Sequence, residues 1–219
     1  RNAEGGIVNI YTLSPLNYQG TKLSVNVGNY GLVGEKLAHY GKLGDNFGYA
    51  ISGYYNHDDG FFTNKFTNQS ADASTSAGGR IKFDWNISPS FKAQYSTNFD
   101  YVSQDAFPYG AYSRTTGVTA QPDFNDPGSY KRNMLTNSLF LQYKTSNWTL
   151  SSISSHQYFK DEMKMDNDFT TMSFFTIEQA QKQRSAKHIR VLQRGFGHRI
   201  GNRLHPALDR TDDHLRAQI

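Results

Sequence analysis

The residues best suited to hold a small molecule lie in one stretch. Between residues 103 and 131 stand Phe107, Tyr109, Tyr112, Arg114 and Phe124. Aromatic rings supply stacking area, and a guanidinium presents a fork of donors that fits a carboxylate or phosphate. That chemistry is binding, without a covalent step. The same side chains would serve equally to pack the stretch on its neighbours. Two acidic groups come next. Asp58-Asp59 precedes Gly60; such a pair can face an ion but more often shapes a turn. Asp166-Asn167-Asp168 has the opening spacing of a calcium loop. Thr171 stands where that loop needs glycine and Ile177 where it needs glutamate, so an EF-hand is excluded. His198 and His205 have no flanking ligand pattern, and no metal is expected there. Phosphate-cradling glycine loops, HExxH and GxSxG are absent. No pair of residues is placed as acid and base. The chain is read as a non-enzyme without a cofactor.

The elements that must position these residues are read from composition and periodicity. The chain has 219 residues and no Cys, so disulfides and thiolate metal sites are impossible. Only 37% of residues are hydrophobic, yet 14% are aromatic. Abundant aromatics argue against disorder, and no apolar run reaches the length of a membrane helix. The net charge is +4, but it is unevenly placed. Residues 184–219 carry 8 Lys and Arg against 3 Asp and Glu, a net of +5. Residues 1–183 carry 15 against 16, a net of −1, so the body offers no argument for nucleic-acid binding.

Alternation with period two dominates the body. Ile81, Phe83, Trp85 and Ile87 share one face of a strand over 80–87; Arg80, Lys82, Asp84 and Asn86 share the other. Similar strands are predicted over 47–56, 91–101 and 133–143, the last interrupted on its apolar side by Asn137. Weaker ones are predicted over 21–29 and 36–43. A strand over 148–160 starts in step and then slips, as at a bulge. A further strand is possible over 172–183. The connections alternate in length. Those around 44–46, 88–90 and 145–147 are short; 57–76, 103–131 and 161–172 are long. Short turns at one rim and long loops at the other describe a transmembrane barrel, whose strands are apolar outward and polar inward with aromatics at both interfaces. Phe47, Trp85, Phe91, Tyr143 and Trp148 all flank the short turns. A soluble antiparallel sheet with one wet face is the alternative.

The opening stretch, RNAEGGIVNIYT, resembles the segment that closes the plug domain of TonB-dependent outer-membrane receptors, with Arg1, Asn2, Gly5, Gly6 and Asn9 carrying the likeness. NVGNYG at 26–31 resembles the end of a first barrel strand. LGDNFGYAISGYYNHDDGFFTN at 43–64 resembles the next hairpin. DNDFTTMSFFTIEQAQKQ at 166–183 resembles a later loop and strand, most like receptors of the Bacteroidota group. The resemblance covers about residues 1–183. It implies an all-β, antiparallel barrel fragment of seven or eight strands, with residues 1–14 ending a plug and 20–183 opening the barrel. The rest of the plug, with the TonB-contacting segment, is expected to precede residue 1. It also implies residence in the outer membrane, lipid and TonB as partners, and uptake of a scarce nutrient: an iron chelate, a corrinoid or a glycan. Residues 184–219 do not alternate and lose the aromatics. They are expected to lie outside the sheet, as an out-of-frame or disordered tail. A small porin or adhesin barrel and a soluble β-sandwich binding module are the competing readings.

Overall fold

The computed structural model describes residues 12–194 and 216–218. It contains no helix among them. Eight long strands follow one another as an antiparallel meander: β1 (Gly20–Val27), β2 (Val33–Leu43), β3 (Phe47–Asp58), β6 (Ser74–Ser88), β7 (Phe91–Ala106), β10 (Gly128–Lys144), β11 (Trp148–Asp166) and β12 (Thr176–Arg194). Two small hairpins, β4 (Thr63–Asn64) with β5 (Gln69–Ser70) and β8 (Tyr112–Ser113) with β9 (Val118–Thr119), sit inside the long connections. The short β13 (Arg216–Gln218) pairs with Glu178–Ala180 of β12. The sheet is open: β1 has a neighbour on one side only. All-β architecture and the alternating connections are therefore as expected, while the described strands form an open sheet and not a closed barrel.

The strands run further than the alternation suggested. β7 continues past 101 to Ala106, β10 begins at Gly128 and β11 ends at Asp166. The extensions all lie toward the long connections. There the residues are polar on both faces, as in Ser74-Thr75-Ser76 and Ser103-Gln104-Asp105, so the period-two signal vanishes although pairing continues. Two expectations are corrected. The slip expected in 148–160 does not occur: Ser129 to Lys144 pair with Lys164 to Thr149 without a break. Ile153 simply changes face, opposite Phe140. The one shift in register lies instead between Asn86 and Ser88. Residues 184–194 and 216–218 are also not outside the sheet; the first pair along Trp148–Tyr158 of β11 and the second along Glu178–Ala180 of β12, and the rest of 184–219 lies outside the described residues. Backbone N–H and C=O groups pair with any extended neighbour, whatever its side-chain pattern.

The two faces of the sheet are chemically opposite. One face carries Arg80, Lys82 and Asp84, and residues 12–19 lie against it. Ser14 Oγ donates to Asp84 Oδ2 at 2.5 Å. Lys82 Nζ donates to the Leu13 carbonyl at 3.4 Å and stands 3.5 Å from Asp84 Oδ2. Gly48 makes this approach possible, because a Cβ there would meet Leu16 N and the Pro15 carbonyl carbon at 2.9 Å. Further along this inner face, Tyr54 crosses Gly78 and its hydroxyl donates to Asp100, which also accepts from Arg132 at 2.8 Å. A side chain at position 78 would collide with the Tyr54 ring, 2.5 Å away.

From β1 to β10 the outer face is apolar, and no described residue covers it. Leu23, Val25, Leu37, Ile51, Ile81, Trp85, Phe99, Leu135 and Leu139 are all exposed on it, Leu23 by 71%. Its aromatics gather near the short turns. Phe47 stacks on Phe83 at 5.7 Å and meets Trp85 edge-on at 6.3 Å, Phe83 stacks on Tyr95, and Phe91 lies beside Tyr143. Polar groups on this face are tied to one another. The Tyr95 hydroxyl donates to Asn137 at 3.0 Å, which accounts for the break in apolar pattern there. His39 shares hydrogen bonds with Thr21 and Tyr49. The buried apolar side chains among the described residues are Ala71, Ala106 and Phe124, with Pro15 and Pro122. Only Pro15 packs against the inner face of the sheet, at Gly48.

Candidate functional site

The long connections interlock into a rim at one end of the sheet. Its centre is Asn64, 2% exposed. The Asn64 amide donates to the Phe124 carbonyl at 2.8 Å, and its oxygen accepts from Phe124 N at 3.2 Å and Phe66 N at 3.1 Å. Lys65 N donates to the Pro122 carbonyl at 2.9 Å. These bonds tie the 59–73 connection to the 107–127 connection. Phe169, at φ 51°, brings in the third. Its ring meets Tyr109 edge-on at 4.8 Å and Phe124 edge-on at 6.1 Å. Asn125 N donates to the Thr170 carbonyl at 3.1 Å. The 28–32 turn joins through Tyr30, which packs on Phe61 at 4.9 Å and accepts from Asp59 N.

The five residues proposed for binding separate into three groups. Phe124 is 2% exposed and is a packing anchor with no surface to offer a ligand. Sequence alone allowed both roles; burial chooses. Phe107 and Tyr109 lie parallel, 6.1 Å apart, and Tyr109 keeps half its surface in solvent. Tyr112 and Arg114 stand on the exposed β8–β9 hairpin. Tyr109, Tyr112 and Arg114 remain available to a partner. The plug-end residues Arg1, Asn2, Gly5, Gly6 and Asn9 lie outside the described residues, as do His198 and His205.

The carboxylates of the rim mostly shape turns. Asp58 Oδ1 accepts from Gly60 N and its Oδ2 from Ser74 Oγ at 2.6 Å. Asp72 Oδ1 accepts from Phe61 N and Phe62 N, both at 2.9 Å. Sequence reading missed Asp72, since an isolated Asp eleven residues away carries no local signal for that cap. Asp105 is raised above the usual carboxylate range by burial and by the Asp72 charge nearby. Asp166 is 4% exposed and accepts from Asp168 N at 3.1 Å. Burial pushes its carboxyl upward, and so does the adjoining Asp168 carboxylate, against the pull of that N–H. Asp168 is held low, chiefly by the hydroxyl of Thr170 donating to it. Among the described residues no three His, Asp or Glu side chains gather as a metal cluster.

Comparison with protein-family models finds no match for this chain. Comparison with curated proteins finds no significant similarity either.

Proposed function

We propose that this chain is part of the wall of an outer-membrane β-barrel of the TonB-dependent receptor kind, serving energised uptake of a scarce nutrient. The observation that carries the barrel reading is the outer face. Six strands, β1, β2, β3, β6, β7 and β10, present Leu, Ile, Val and aromatic side chains outward, and no described residue covers them. A soluble sandwich would pack a second sheet on that face. Among the described residues the other sheets are two-stranded and lie in the connections. In lipid the same face needs no cover, and a ring of aromatics near the turns suits an interface. Paired polar groups, as at Asn137 and His39, suit it too, because hydrocarbon supplies no partner.

The receptor reading rests on the resemblance of residues 1–183. In it the long-connection rim faces outward and meets the nutrient through Tyr109, Tyr112 and Arg114. Residues 12–19 lead from the plug onto the inner face, where Lys82 and Asp84 receive them. TonB, energised by the inner membrane, moves the plug and opens the path.

Location and coupling test this in order. The protein made with its natural flanking sequence in a Gram-negative host should fractionate with the outer membrane and need detergent for extraction. Nutrient uptake should stop when TonB is deleted. A detergent-free monomer that melts cooperatively overturns the barrel. Outer-membrane residence with uptake indifferent to TonB overturns the receptor and favours a porin or adhesin.

A further inference from the structure

Three buried oxygens at the rim lack a hydrogen-bond partner: Asp166 Oδ2, Asp168 Oδ1 and Asn125 Oδ1. Asp166 ends β11, Asp168 lies in the connection that follows and Asn125 in the 107–127 connection, and short links tie the three residues together. Asn125 N donates to the Thr170 carbonyl at 3.1 Å, the Thr170 hydroxyl donates to Asp168, and Asp168 N donates to Asp166 Oδ1 at 3.1 Å. Asp166 is 4% exposed, so water does not solvate its free oxygen. Leaving a buried acceptor unpaired costs more than the bond itself is worth. Two adjoining carboxylates add mutual repulsion, and only a shared proton, a basic side chain or a cation relieves it. Neither Asp166 nor Asp168 forms an ion pair with any described Lys, Arg or His.

We infer that Asp166, Asp168 and Asn125 form a site for a divalent cation of the calcium class, which clamps the 167–175 connection to the 107–127 connection. All three free groups are oxygens, two of them carboxylate, and calcium takes just such hard donors in irregular number. Main-chain carbonyls and water would fill the remaining positions. The site differs from an EF-hand, since its third oxygen comes from a residue about 40 positions earlier in the chain rather than from the same loop. It asks nothing of the membrane reading and would stand if the sheet proved soluble.

The test uses the natural full-length protein, stripped with chelator, and terbium as the probe. Tyr109, packed on Phe169 next to Asp168, is placed to excite it. Terbium emission should saturate and be displaced by calcium. Asp168→Asn should weaken calcium displacement by about tenfold or more, and Asn125→Ser by less, as loss of direct and supporting ligands does. Asp58→Asn, at a turn elsewhere on the rim, should leave it unchanged. Calcium should also slow protease cleavage within 167–175 in the unaltered protein, a measurement that does not require any variant to fold. The inference is overturned if terbium emission in the unaltered protein is not displaced by calcium. Equal calcium affinity in Asp168→Asn and the unaltered protein also overturns it. So does protection that follows pH alone, which assigns the pair a shared proton.

Discussion

The sheet and the rim solve the same problem in opposite directions. On the sheet, apolar side chains point outward and the polar ones face residues 12–19. On the rim, Phe124 and Ala71 are hidden and the exposed surface carries Tyr112 and Arg114. The rim has a small buried core, although Phe61, Phe66, Phe174 and Phe175 stay exposed; the sheet carries its apolar side chains on an open face. In the proposed barrel the two regions meet different surroundings. The difference also locates stability. Ladder hydrogen bonds hold the sheet whatever lies on its faces, whereas the rim depends on a few buried contacts around Asn64.

The contrast fails first at Phe124 if it is wrong. Phe124→Ala should cost about 3–5 kcal/mol of local stability, the usual loss for a buried aromatic. Hydrogen exchange over 107–127 and 59–73 reads this, and the strands should keep their protection. Unchanged exchange at the rim would mean that it has no core. Next comes the wall. With the full-length protein in bilayers, Ile81→Arg, at the middle of β6 on the outer face, should cost about 2–4 kcal/mol. Lys82→Gln on the inner face should cost far less. Equal costs would abolish the distinction between faces.

A sharper form of the comparison lies within the sheet. On β11 and β12 the outer face changes character. Ser154 hydrogen-bonds to His188 at 2.6 Å, and Arg190 donates to His188 at 2.9 Å. Lys182 and Arg184 lie over the Tyr158 ring. An outward face of this kind suits water, not lipid. Ser152→Arg, opposite Arg190, should therefore change stability by about 0.5 kcal/mol or less, as surface substitutions do. A penalty as large as that of Ile81→Arg would return β11 to the lipid-facing wall.

The smallest effect is a pH dependence of the rim. Burial holds Asp166 above the ordinary carboxylate range. A group raised in this way is more protonated folded than unfolded, so its contribution is full below that range and lost as pH rises through the raised value. Asp168, held low, contributes above the ordinary range and loses that contribution as pH falls through its lowered value. In chelator, protection of 167–175 should thus decline as pH rises above the ordinary carboxylate range, about pH 4, and Asp166→Asn should remove the decline. A cation in the site should flatten it as well. A rise in protection over the same interval would contradict the assignment.

Alternation determined a good deal by itself. Ile81-Lys82-Phe83-Asp84-Trp85 can present its apolar residues together only as a strand, and the register places them on one face as read. The rhythm of short and long connections followed from the same pattern. The turn-forming role of Asp58 was legible too, because its bond from Gly60 N closes over two residues. Other decisions needed contacts distant in sequence. Phe124 has one composition as ligand or anchor, and only Asn64, sixty residues away, makes it an anchor. Asn137 reads as a break until the Tyr95 hydroxyl reaches it from the neighbouring strand. Residues 184–194 carry no strand pattern, yet the edge of β11 pairs with their backbone along its length. Side-chain periodicity reports which face meets which solvent. It is silent where both faces are wet, where backbone pairing alone holds the strand, and where one side chain's role is set by another loop.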